Sequence, residues 1–227
     1  MTGHAIIAIA ASIVLYTLYY GLIVSPPFDR IRGTVAGVLA KRSAGVVILG
    51  GGSVLAASLL PFSLAELGLT IAIPPPTWFW VAGASVVIVI GCIATAHKPE
   101  NVDVYPEMRV PHWGTGAVAA NFVSCCLYMF AYELMFRGLL LFACLAAMPA
   151  AAAIAINIAL YALAHAPKGR REALGSIPLG LVLCLSAIET GAIWAAFLIH
   201  VIMSQLNDYL AVRANPAMRF AQPRLPS

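Results

Sequence analysis

Glu133, Arg137, His165 and His200 are ionisable residues set in otherwise apolar runs. Glu133 and Arg137 stand four apart with the acid first. On a helix they share a face and pair in the favourable order. Tyr161 precedes His165 by one helical turn. Ser204 and Asn207 follow His200 at one and two turns. A charge at the centre of a bilayer costs about 2.5–3.5 kcal/mol. Gathering such groups so that they satisfy one another is cheaper than desolvating each alone. A carboxylate and an imidazole can share a water and take its proton. A second imidazole, with a hydroxyl or amide beside it, can donate to a developing oxyanion. Those parts suffice for acyl hydrolysis. Glu133, His165 and His200 also form a His₂Glu set of the kind zinc accepts in hydrolases. The chain has no HExxH, and no two histidines share an apolar run. Hydrolysis without a cofactor is therefore the main expectation, and zinc at Glu133, His165 and His200 the alternative. The plain structural readings are a buried ion pair that fixes helix packing and histidines that bond between helices.

The elements that must hold these residues are membrane spans. Of 227 residues, 62% are hydrophobic and 10% charged, against about 25% charged in a soluble domain. The mean hydropathy is +0.93. Such a chain has too little polar surface for a water-soluble globule, and its solvent is lipid. The net charge of +4 is spread between apolar runs, which argues against a nucleic-acid partner. The five cysteines all lie in apolar runs without a CxxC and read as small buried hydrophobes. The start, Met-Thr-Gly-His, has no basic region before the first apolar run, so that run reads as a retained anchor.

Seven spans are expected: Ala5 to Ser25, Ala44 to Leu64, Thr77 to Ala96, Gly114 to Ala147, Ala150 to Ala166, Leu174 to Ile188, and Gly191 to Leu210. Gly50, Gly51 and Gly52 in the second suit close helix packing. Trp78 and Trp80 suit an interfacial belt. Gly114 to Ala147 is longer than one straight span needs and reads as one tilted helix. The polar stretch from His97 to His112 is the place where a lid could sit. Every Lys and Arg except Arg137 falls in the first, third and fifth loops or in the tail from Arg213 to Ser227. The positive-inside rule then puts the amino terminus outside and the tail in the cytoplasm. Two spans in place of the long fourth one would destroy that segregation. The expected fold is an all-α polytopic bundle, a single membrane domain over residues 1–227, with residues 213–227 as a tail.

On these elements a resemblance emerges. The run Tyr132-Glu133-Leu134-Met135-Phe136-Arg137-Gly138 resembles the EExxxR motif of the CAAX-protease and bacteriocin-processing (CPBP, or Abi) family of intramembrane glutamic proteases. Tyr161-xxx-His165 resembles its FxxxH motif, and His200-xxx-Ser204 its HxxxN motif. The likeness covers about residues 117–210. It implies a multi-helix membrane protein with a site in an intramembrane cavity. In the family's scheme the first Glu and the FxxxH histidine activate water. The HxxxN pair stabilises the oxyanion, and the second Glu and the Arg support the site. Carried over, His165 is the water partner, His200 and Ser204 are the oxyanion donors, and Glu133 with Arg137 is the supporting pair. Tyr132 stands where the family has its first Glu, Ser204 where it has Asn, and Tyr161 where it has Phe. A phenol with a pKa of about 10 is a poor base near neutral pH. Either Glu133 serves as the base or hydrolysis has been lost.

The function expected is that of an intramembrane endopeptidase in a prokaryotic inner membrane, acting on a membrane-anchored protein or peptide. Glu133, His165, His200 and Ser204 are its catalytic candidates, with Arg137, Tyr132, Tyr161 and Asn207 in support. The alternative, motivated by Tyr132, is a non-catalytic relative that binds membrane proteins or peptides. A small transporter ranks third, because no internal repeat is visible.

Overall fold

A computed structural model describes residues 3–221. Seven helices in it are long and apolar enough to cross a membrane. They are α1 (Gly3–Ile23), α2 (Val35–Ala57), α3 (Thr77–Thr95), α4 (Thr115–Leu145), α5 (Ala150–Lys168), α6 (Arg170–Thr190) and α7 (Trp194–Ala214). The protein is an all-α integral membrane bundle. Large apolar side chains such as Leu55, Leu59, Phe79 and Val87 are exposed on its outside, as a lipid-facing surface requires.

α4 is the centre. Its 31 residues span about 46 Å at 1.5 Å per residue, more than the hydrocarbon core, and one continuous helix accounts for the long fourth run. Its middle is buried without a break from Ala131 to Leu141. α2 reaches it through small residues. A Cβ on Gly52 would collide with Leu15 of α1, and one on Gly50 would lie 3.0 Å from Ala131 of α4. Gly50 and Gly52 therefore serve close packing, as expected, whereas a Cβ on Gly51 would meet open space. Part of that segment, Val46–Gly51, is also wound as a π-helix.

Several boundaries differ from expectation. α2 starts at Val35 rather than Ala44 and ends at Ala57. The Thr34 hydroxyl caps it by accepting from the Gly37 N–H at 3.0 Å. Lys41 and Arg42 are thereby helix residues and not loop residues. Arg42 is buried, and its guanidinium donates to the Asn121 carbonyl, the Asn121 side chain and Ser124, each at 2.9 Å. α6 starts at Arg170, and α7 runs on to Ala214. Both ends lie at the basic side, where long cationic side chains reach water. Beyond α7 the tail is structured: β2 (Arg219–Phe220) pairs in parallel with β1 (His112–Trp113). Residues 222–227 of the expected tail, Arg224 among them, lie outside the described residues.

The loops segregate as the charge pattern requires. At one end the Arg109 N–H donates to the Gly33 carbonyl at 2.6 Å. There Tyr105 also donates to Glu172 at 3.2 Å, and β1 meets β2. This end carries the first, third and fifth loops and the tail. At the other end the Ile193 N–H donates to the Gly68 carbonyl at 2.9 Å, and the Trp194 indole to the Thr70 carbonyl at 3.0 Å. Positive φ at Gly191 lets the chain turn there from α6 into α7.

Residues 97–113 form a strap across the basic end, with a short helix at Pro99–Val104. Glu107 pins it, accepting from Lys41 at 2.6 Å and from Arg42 at 3.2 Å. Burial raises the Glu107 carboxyl, but Lys41, Lys168 and Arg42 outweigh that and hold it below the usual carboxylate range. A carboxyl depressed by folding stabilises fully above its unfolded value and loses that contribution as pH falls through its folded one. The strap should therefore stay protected from proteases between about pH 8 and pH 5 and loosen only in stronger acid. Glu107→Gln should expose it at neutral pH. Limited proteolysis of the protein in nanodiscs, mapped by mass spectrometry, checks both outcomes.

Candidate functional site

Four helices assemble the polar centre. α4 contributes Tyr132, Glu133 and Arg137. α5 contributes Asn157, Tyr161 and His165, spaced four apart on one face. α6 contributes Cys184, and α7 contributes His200, Ser204 and Asn207. Just after Glu133, α4 widens into a π-helix from Leu134 to Phe142. Such turns widen the backbone ring and leave carbonyls that need another donor. Asn157 supplies one, donating to the Phe136 carbonyl at 2.6 Å, and Cys184 donates to the Asn157 side-chain oxygen at 3.2 Å.

Glu133 and Arg137 are both fully buried. The Arg137 Nη1 lies 3.2 Å from Oε1 and 3.1 Å from Oε2 of Glu133. Oε1 also accepts from Nδ1 of His200 at 2.6 Å. The Arg137 guanidinium lies over the Tyr161 ring, 4.3 Å from its centre, a cation–π contact strengthened by the absence of water. His165 donates from Nδ1 to the Tyr161 carbonyl at 2.9 Å. That carbonyl can only accept, and so can the Glu133 carboxylate. Both histidines therefore carry hydrogen on Nδ1, and in the neutral rings Nε2 is a lone pair.

His165 and His200 line one cavity of about 770 Å³. It opens between α1, α2, α4, α5, α6, α7 and the strap. Tyr132, Ser204 and Asn207 share its wall, whereas Glu133, Arg137 and Tyr161 do not reach it. The Tyr132 ring stands edge-on to both imidazoles, its centre 5.7 Å from that of His200 and 6.3 Å from that of His165. Ser204 makes no bond to His200; its hydroxyl points to the Met129 sulfur at 3.9 Å. Asn207 lines the wall one turn further on. No group of three His, Cys, Asp or Glu side chains among the described residues is arranged to hold a metal ion.

The family model described as Type II CAAX prenyl endopeptidase Rce1-like matches residues 114–206. This stretch is Rce1-like. It runs through every site residue from Tyr132 to Ser204, so the resemblance read from the three motifs holds. The match supports, at the level of that family, a membrane endopeptidase of the CAAX-protease type. Searches of curated proteins and of solved structures gave no match.

Sequence reasoning missed Asn157, although an amide eight residues before His165 in an apolar run is itself a signal. It also missed a second buried polar set below the first. Asp208, two turns after His200, accepts from the Asn121 amide at 3.0 Å and lies 3.8 Å from Arg42. α4 and α7 are thus tied twice, by Glu133–His200 and by Asn121–Asp208.

Removing one partner of a buried pair strands the other charge, at about 3–5 kcal/mol. Arg137→Leu should therefore cost that much, and the double change Arg137→Leu with Glu133→Leu should cost less than the single one. Thermal unfolding of the purified variants in detergent measures the cycle.

Proposed function

We propose that the protein is an intramembrane endopeptidase that hydrolyses a peptide bond of a membrane-anchored substrate, with water activated by histidine. The observation that carries this reading is the pair of Nε2 atoms. His165 and His200 border one cavity, and each ring is oriented by a hydrogen bond at Nδ1. An imidazole so oriented presents a base of fixed direction. His165 takes the proton of a water placed between it and the substrate carbonyl. Glu133 works one step back. It holds His200 in its tautomer, as the carboxylate of a hydrolase triad holds its imidazole, and Arg137 holds Glu133. Water activation is preferred to zinc because Glu133 Oε1 is committed to Arg137 and His200 and stands off the cavity wall.

The cavity favours a substrate that arrives from the bilayer. Its wall includes Tyr16, Tyr20, Ile23 and Leu179 beside the two histidines, so an apolar segment can lie against it while the scissile bond meets Nε2. In the orientation set by the basic loops it opens toward the cytoplasm of a prokaryotic cell.

A second reading, a non-catalytic binder of membrane proteins or peptides, is favoured by one feature. Tyr132, not a carboxylate, faces the cavity beside His165. Cleavage of membrane-anchored reporter peptides in proteoliposomes tests both. Under the peptidase reading, His165→Ala and His200→Ala should each lower kcat by about 10²-fold or more. Glu133→Gln should lower it less than His165→Ala does, because Glu133 acts through His200. A silent wild type that gains cleavage on Tyr132→Glu would establish the lapsed, binding form instead.

A further inference from the structure

The two histidines leave the site one part short. Attack of water on an amide needs a base for the water proton and a donor for the carbonyl oxygen as charge builds on it. Each Nδ1 hydrogen is already given away, His165 to the Tyr161 carbonyl and His200 to Glu133. What the neutral rings offer the cavity is two lone pairs and no donor. Glu133 already has Arg137 as its counter-charge, at 3.1 Å. A donor must come from another group on the wall.

Of the hydroxyls and amides on the wall, Tyr19 and Tyr128 pack on each other, with ring centres 5.8 Å apart. Tyr16 donates to the Ala164 carbonyl at 2.6 Å, and Tyr105 to Glu172 at 3.2 Å. Ser204 is turned to the Met129 sulfur. Asn207 is two turns from His200. Tyr132 is the group held between the imidazoles, edge-on to both. Its ring is fixed from behind by Phe136, with ring centres 4.7 Å apart.

Resting on the peptidase reading, we propose that Tyr132 is a catalytic residue whose phenol O–H donates to the carbonyl oxygen of the scissile bond. The residue that departs from the family motif thus replaces a base with a donor, and His165 alone takes the proton. The steps balance. The water oxygen bonds to the carbonyl carbon, its proton passes to Nε2 of His165, and the carbonyl π pair moves onto oxygen, where Tyr132 donates to it. The intermediate then collapses: the C–N bond breaks, the nitrogen takes the proton back from His165, and acid and amine leave. Tyr132 keeps its own proton throughout.

The test compares wild type, Tyr132→Phe, Tyr132→Glu and His165→Ala in proteoliposomes, using a membrane-anchored fluorogenic peptide and its phosphinate analogue, a tetrahedral anion. Phe keeps the ring packing and removes only the hydroxyl, and thermal unfolding confirms that the fold is kept. Loss of one oxyanion donor should lower kcat by about 10²–10³-fold, with KM changed by no more than about twofold. Phosphinate binding should weaken by about tenfold or more while binding of the uncleaved amide does not. Tyr132→Glu should also lose activity. If Tyr132→Phe keeps its kcat within about threefold, or Tyr132→Glu gains activity, while His165→Ala is dead, the donor assignment is overturned and the peptidase reading survives. If wild type does not cleave, or His165→Ala cleaves as well as wild type, the peptidase reading fails. The catalytic assignment of Tyr132 then falls with it, and equal phosphinate binding by wild type and Tyr132→Phe removes the donor as well.

Discussion

The Glu133–Arg137 pair sits where neither member could stand alone. Both are fully buried in the middle of the central helix, and an ion in such a place costs several kcal/mol unless partners replace the water it lost. Much of the surrounding structure answers that need. His200 comes in from α7 to the carboxylate, and the Tyr161 ring comes in from α5 to the guanidinium. The π-helical stretch that carries Arg137 has its Phe136 carbonyl satisfied by Asn157, which Cys184 of α6 steadies in turn. Four helices are thus brought together around one pair of charges. Nonpolar contact distinguishes poorly between helix registers in lipid, because a lipid tail is as apolar as leucine. A buried ion pair with directed bonds accepts one register.

The second polar set serves the same end of order at a different depth. Arg42, Asn121, Asp208 and Glu107 link α2, α4, α7 and the strap at the basic end. With Glu133–His200 above and Asn121–Asp208 below, α7 is fixed against α4 at two points. That holds His200 in place beside the cavity. Geometry of this kind, kept by groups away from the reacting atoms, is what an active site needs to be ready before substrate arrives.

The division of labour at the site follows. Glu133 has its oxygens turned to Arg137 and His200 and stands off the cavity wall, which in the proposed reaction leaves it the task of orienting His200. The groups that face the cavity are His165, His200 and Tyr132. A carboxylate at position 132 would have put a second negative charge next to Glu133 with one Arg137 to balance both. A neutral phenol avoids that cost and packs against Phe136 and Tyr161.

Much was legible in the sequence alone. Length and hydropathy of each run determine the spans, because a helix must bond its own backbone where there is no water. The sorting of Lys and Arg determined which loops share an end. The spacing of Glu133 with Arg137 determined their pairing, since four residues make one turn. The rest was decided by tertiary structure. Lys41 and Arg42 looked like loop residues because a lone cation belongs in water; their partners lie on α4 and the strap, 60 residues and more away in sequence. Asn157 and Asp208 stand out as polar residues on apolar helices, but what each bonds lies on another helix. Which site residues touch the cavity was equally invisible. Tyr132 and Glu133 are neighbours in the chain, yet a helix turns about 100° between them. One faces the cavity and the other the buried arginine, and only the packing of α5 and α7 around α4 settles which.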